Sequence, residues 1–91
     1  MEYNFRSSFD HSYKKLSPSE QDAVDRAIDN LKIFFLHEIK KEGLGLKPLK
    51  WDFYEIRASK RIRVLFTFQD DTITFVIIGN HDDIRKYLKN L

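Results

Sequence analysis

Three arginines, Arg57, Arg61 and Arg63, fall within seven residues, and Glu55 precedes them. Lys47 and Lys50 lie just upstream, so residues 47–63 hold six basic side chains against two acidic ones. Guanidinium groups offer planar, paired donors that match a phosphate. Local charge is what a polyanion meets, even though the whole chain carries only +2. His81 closes an apolar run, where an imidazole on a rigid support can exchange protons near neutral pH. Tyr87 lies further along; packing is its ordinary role, but its hydroxyl is within reach of the same site. These residue types suit holding a phosphate and moving a proton beside it. Plainer readings compete. The arginines can pair with Glu55 and Asp52 on a solvated sheet face. Asn80-His81-Asp82-Asp83 can simply open a helix, its acids favouring the positive end. Both hold together if Asp82 or Asp83 caps while His81 points to an open sheet face. His81, Asp82 and Asp83, adjacent on a turning backbone, seldom converge on one ion, so no metal or other cofactor is expected. His11 and His37 fall within helical patterns and read as surface or boundary residues.

The spacing of apolar residues sets the elements that must position these groups. Glu2–Ser7 alternates in part and reads as a first strand. Ser7–Leu16 places Phe9, Tyr13 and Leu16 on one helical face. Ser17-Pro18-Ser19-Glu20 starts a second helix, with Ser17 as cap, Pro18 at the first position and Glu20 completing a capping box. Val24, Ile28, Leu31 and Phe35 form its apolar stripe, widened by Ala27, Phe34 and Ile39. The pattern predicts an end near Lys41–Glu42, with Gly43 as the C-terminal cap. Gly43–Lys50 reads as a loop. The period then switches to two, and Phe53–Ser59, Arg61–Gln69 and Thr72–Asn80 read as strands. Lys60 marks a short turn and Asp70-Asp71 a tight hairpin. Ile62, Val64, Phe66 and Phe68 share one face of the middle strand; Arg61, Arg63, Leu65 and Thr67 share the other. The parity puts Glu55, Arg57, Arg61 and Arg63 together, away from the helical hairpin. Thr72–Ile78 is nearly all apolar, as a central strand covered on both sides would be. Asp83–Leu91 reads as a short last helix with Ile84, Leu88 and Leu91 on one face. Trp51 and Tyr54 flank the first core strand; Trp51 is read as the edge of the core, with a base-stacking platform as the alternative. The order β-α-α-β-β-β-α describes an α+β fold, with a mostly antiparallel sheet covered by the helical hairpin on one face and at least partly free on the other.

Composition narrows the function classes. A chain of 91 residues, 42% hydrophobic and 33% charged, is expected to form a single globular domain over 1–91. Its 8 Phe and 4 Tyr supply the core that so short a chain needs. With no cysteine there is no disulfide scaffold, thiolate zinc site or cysteine nucleophile. MEYNFRSS shows no signal peptide, and no apolar run approaches the roughly 20 residues of a membrane span, so a cytoplasmic protein is expected.

The loop LKPLK, the strands YEIR and RIRVLF, the apolar strand ending in Gly79, and the helix start HDDIRKY, in that order and spacing behind a helical hairpin, resemble the RelE/ParE toxin superfamily. The likeness spans nearly the whole chain. It implies the toxin of a type II toxin–antitoxin pair, with a cognate antitoxin as partner. For the RelE branch it implies a ribosome-dependent, metal-independent endonuclease that cuts mRNA by attack of the ribose 2′-hydroxyl on the adjacent phosphate. On that resemblance Arg63 holds the scissile phosphate, His81 protonates the leaving oxygen, Arg57 adds positive charge, and Glu55 or Tyr87 takes the 2′-hydroxyl proton. Lys47, Lys50 and Arg61 contact the RNA. The ParE branch has the same fold and poisons DNA gyrase. A protein-binding member without RNA cleavage is therefore the alternative, and the acidic Asp82–Asp83 pair is compatible with it.

Overall fold

The computed structural model describes residues 1–91. Strand β1 (Glu2–Phe5) leads into helices α1 (Ser7–Lys14) and α2 (Pro18–His37). Strands β2 (Lys47–Pro48), β3 (Phe53–Arg57), β4 (Arg63–Gln69) and β5 (Thr72–Gly79) follow, then helix α3 (His81–Lys89). The five strands form one sheet in the order β1-β5-β4-β3-β2. All neighbours are antiparallel except β1 and β5, which run parallel. The α+β reading holds, with a mixed sheet and one more strand than the sequence predicts. No helix is long and apolar enough to cross a membrane.

Local chemistry explains most boundaries. At the start of α2, Ser17 Oγ accepts from Glu20 N–H at 3.3 Å and Glu20 returns the contact to Ser17 N–H at 2.8 Å. Asp70 and Asp71 turn the β4–β5 hairpin at φ 52° and 60°, backbone angles that aspartate tolerates better than most residues. Where β1 ends, α1 takes over the edge of β5. Ser8 Oγ donates to the Val76 carbonyl at 2.6 Å, and Ile78 N–H donates to Ser12 Oγ at 3.0 Å. Two serines one helical turn apart thus extend the ladder past the strand.

The sheet is covered on both faces. Phe9, Val24, Ala27, Ile28 and Leu31 of the helical hairpin pack on Ile56, Val64, Phe66, Ile73, Phe75 and Ile78. On the other face Ile84 and Leu88 of α3 pack on Phe53, Leu65 and Val76, with Tyr87 and Ile77 at the margin. The register of β4 against β5 shifts between Leu65 and Phe66. That bulge lets Val76 and Ile77 both serve the α3 side while Phe75 and Ile78 serve the other.

Several expectations are corrected. The second helix stops at His37, four or five residues early: Glu38 turns left-handed at φ 58° as its C-cap. The chain must come back to the sheet there, because Leu44 is buried and its carbonyl accepts Arg57 N–H at 2.7 Å. Ile39 is consequently 53% exposed rather than part of the stripe. Within the predicted loop, Lys47–Pro48 pairs with Tyr54–Glu55 as an edge strand, a position where proline's missing N–H costs nothing. The last helix starts at His81, two residues early, and Leu91 lies beyond it, exposed. The second sheet face is largely closed by α3. What stays open is its end, where Arg57, Arg63 and Gly79 lie side by side on adjacent strands.

Candidate functional site

At this open end β4 begins, β5 finishes and α3 starts. Asn80 caps α3: its Oδ1 accepts Asp83 N–H at 2.8 Å, and Asp83 Oδ2 accepts Asn80 N–H at 2.9 Å. The capping residue is therefore Asn80, with Asp83 as its reciprocal partner. The box fixes the turn that carries His81, the first helical residue, which is exposed. Gly79 makes the turn possible, since a Cβ there would meet Asp83 Cβ at 2.6 Å.

Across the strands, Lys60, Arg61, Arg63, Asn80, His81 and Asp82 line one cleft of about 350 Å³. Three cations and an imidazole there face one carboxylate, that of Asp82. Arg63 is held from two sides. Its Nη1 donates to the Ser59 and Lys60 carbonyls at 3.3 and 3.2 Å. Its Nε lies 3.6 Å from Glu55 Oε2. Glu55 is the one buried charged residue of the chain, 5% exposed, and Arg63 is its ion-pair partner. The Nη2 hydrogens of Arg63 have no protein acceptor, so that edge of the guanidinium is free.

The remaining sequence-predicted residues are spread more widely. Arg57 lies directly opposite Arg63 and is exposed. Lys47 of β2 sits opposite Glu55 of β3, on the same sheet face. Arg61 reaches the cleft from the loop before β4 rather than from the strand itself. Tyr87 is half-buried, edge-on to Phe53 with ring centroids 6.4 Å apart, and its hydroxyl accepts from Arg6 Nη1 at 3.5 Å. Neither Tyr87 nor Glu55 lines the His81 cleft. Lys50 lines a second groove together with Asp82, Arg85, Lys86, Leu88 and Lys89. Trp51, read as the edge of the core, is 72% exposed. His11 and His37 are exposed as expected.

Sequence reasoning missed Lys60, Arg6 and the cations of α3. Lys60 had a signal, since it completes the basic run 57–63. The α3 cations fall on the helix face opposite Ile84 and Leu88, an amphipathic pattern visible in the sequence. Arg6 has none, because only the fold brings it to Tyr87. No group of three or more His, Asp or Glu side chains is arranged to hold a metal ion.

No protein-family model and no curated protein matches the sequence. Solved structures do match the fold. A metal-bound toxin from Helicobacter pylori superposes with a TM-score of 0.71 at 16% identity, covering 92% of this chain and 98% of that one. The YoeB dimer from Staphylococcus aureus gives 0.67 at 18% identity, over 89% and 97%. The RelB–RelE antitoxin–toxin complex from Methanococcus jannaschii gives 0.65 at 19% identity, over 92% and 96%. The fold is that of the RelE-like toxins.

Proposed function

We propose that this chain is the toxin of a toxin–antitoxin pair, and that it inhibits translation by cutting mRNA on the ribosome without a metal ion. The observation that carries the reading is the meeting of Arg63, Arg61, Lys60 and His81 in one cleft at the open end of the sheet. An mRNA phosphate seated on the free Nη2 edge of Arg63 has His81 within the same cleft. The ribose 2′-oxygen attacks phosphorus, the bond to the 5′-oxygen breaks, and the products are a 2′,3′-cyclic phosphate and a 5′-hydroxyl. The His81 imidazolium gives its proton to the departing 5′-oxygen. Arg63, Arg61 and Lys60 balance the negative charge of the pentacovalent phosphorus, with Arg57 adding to it from the neighbouring strand. Glu55 is paired with Arg63 and does not line the cleft, which supports it as the residue that aims Arg63, with water as the proton acceptor. An antitoxin is the expected inhibitor, and an acidic segment laid over the cleft is the simplest way to provide one. The expected site is the cytoplasm, where ribosomes translate.

The test adds purified protein to ribosomes translating a defined mRNA and maps the cuts by primer extension. Cuts within the ribosome-bound codon ending in cyclic phosphate are expected. Arg63→Ala should slow them by about 10²–10³-fold, and His81→Ala by about 10²–10⁴-fold. An Arg63→Ala/His81→Ala variant that cuts like the wild type refutes the mechanism. Growth arrest that survives the double substitution, with no cuts, moves the chain to the protein-binding toxins that act on DNA gyrase.

A further inference from the structure

Trp51 is the only tryptophan of the chain, and 72% of its surface is open. Its backbone sits at φ 52°, a left-handed conformation that bulky residues rarely adopt. The turn from Lys50 to Phe53 holds it there, with Phe53 N–H donating to the Lys50 carbonyl at 2.9 Å. The ring is thus held in water against backbone preference, adds little to the core and is open to a ligand. The Lys50 ammonium stands 5.6 Å from the indole centroid. Lys50 also lines the groove with Arg85, Lys86 and Lys89 over a Leu88 floor, four cations against the single carboxylate of Asp82. His81, Arg85 and Lys89 recur every fourth residue along α3, a stripe about 12 Å long at helical rise. Asp82 lines both this groove and the His81 cleft, so the two adjoin.

We propose that the Lys50–Trp51 turn and the exposed face of α3 form a second RNA-binding site, separate from the cutting residues. It would take a single-stranded segment, with phosphates on Arg85, Lys86 and Lys89 and an unstacked base on the Trp51 indole. An acidic peptide satisfies the cations and leaves the indole without a partner. A duplex satisfies the cations and keeps its bases stacked. A single strand satisfies both, because every base has a face to stack and a phosphate beside it. The choice of RNA rests on the reading of the adjoining cleft; the site itself rests on Trp51 and the four cations.

Since Trp51 is the sole indole, its fluorescence reports directly on the site. The intact protein is titrated, without ribosomes, with a single-stranded oligoribonucleotide of about ten nucleotides, an ordinary footprint for such sites. Saturable quenching is expected, and a perfectly paired hairpin of the same length should quench little. Trp51→Ala should weaken binding of a labelled oligonucleotide by roughly 5- to 150-fold. Replacing Arg85, Lys86 and Lys89 with Gln should lower the slope of log affinity against log salt by about 2. Absence of quenching, equal quenching by the hairpin, or unchanged affinity of Trp51→Ala overturns the proposal. So does poly-glutamate that quenches and displaces the RNA, which would make the partner a protein. The two readings fail separately. A wild-type protein that makes no cuts and still shows the quench leaves this site standing. A wild-type protein that cuts and shows no quench removes this site alone.

Discussion

Glu55 and Arg63 form the one ion pair in which both side chains are largely withdrawn from water, 7% and 14% exposed. Removing one member of such a pair costs about 3–5 kcal/mol, whereas replacing both by apolar groups costs far less. The structure makes the two single losses unequal. Arg63→Met leaves Glu55 buried with no other ion-pair partner, so about 3 kcal/mol is expected. Glu55→Leu leaves Arg63 on the Ser59 and Lys60 carbonyls, so about 2 kcal/mol is expected, below the usual range for a buried pair. The double variant should lie within about 2 kcal/mol of wild type, a coupling of about 3 kcal/mol. Total stability for 91 residues is about 5–14 kcal/mol, so every variant should fold well enough for urea titration followed by circular dichroism. Losses that add to within about 0.5 kcal/mol refute the pairing, and a larger loss for Glu55→Leu than for Arg63→Met refutes the asymmetry. Cleavage gives the functional arm. Glu55→Gln keeps an oxygen facing Arg63 and should retain cutting within about tenfold, whereas loss of a general base would cost about 10²–10⁴-fold.

Three further outcomes follow from contacts away from that pair. The Tyr13 phenol donates to Asp25 at 2.9 Å, and this bond, then burial and the charges of Asp25 and Asp22, raise its pKa above the ordinary 10.0. Its contribution is therefore present below pH 10 and lost as pH rises through the raised value, so Tyr13→Phe should cost about 1 kcal/mol at pH 7 and nothing above the raised pKa. Urea titrations at both pH values check this, and a pH-independent loss refutes it. Ser12→Ala strips the acceptor from Ile78 N–H at the part-buried edge of β5; about 1–3 kcal/mol is expected, read as a fall in melting temperature of at least about 4 °C. Gly79→Ala drives a Cβ into Asp83 and should cost about 1–3 kcal/mol while also slowing cleavage, because the displaced cap carries His81. Gly79→Ala with full stability and full cutting would show that the turn has slack.

How much was legible depended on whether the deciding interaction was local. The capping box at Ser17–Glu20, the Asp70–Asp71 turn and the alternation of β4 are local, and each stands where the periodicity puts it. The end of α2 is not local. Nothing between His37 and Gly43 forbids a helix; the burial of Leu44 on the far side of the turn stops it. The β5 bulge was hidden because Phe75–Ile78 is apolar at every position, so no polar residue marks the slip. In the site, parity placed Glu55, Arg57, Arg61 and Arg63 on one face; Glu55, Arg57 and Arg63 pair there across β3 and β4, whereas Arg61 comes from the loop before β4. Parity could not rank them by depth. Glu55 is buried against Arg63, Arg57 is exposed, and Tyr87 turns to Arg6 because α3 closes over the face. The exposure of Trp51 was equally out of reach, since a left-handed backbone at a tryptophan has no sequence signature.

The net charge of +2 understates the field at the cleft, and the fold shows why. Residues 47–91 hold nine Lys/Arg and six Asp/Glu. Glu55 is buried on Arg63, so the charges of the two largely cancel. Asp70 and Asp71 lie past the far end of β4, about 23 Å from Arg63 at strand rise. That is nearly three times the roughly 8 Å over which physiological salt screens exposed charges. Asp52 lines neither cleft, and Asp83 is tied into the cap on Asn80, which leaves Asp82 as the one carboxylate lining the two clefts. Lys60 and Arg61 on one side of it and Lys50, Arg85, Lys86 and Lys89 on the other make a cationic track interrupted at that residue. Near-neutrality of the whole chain keeps non-specific attraction low, while the track keeps a strong local pull. Asp82→Asn removes the interruption. It should tighten binding of a single-stranded RNA at low salt, and the gain should shrink as salt is raised. A gain that persists undiminished at high salt would mean that Asp82 acts through shape rather than charge.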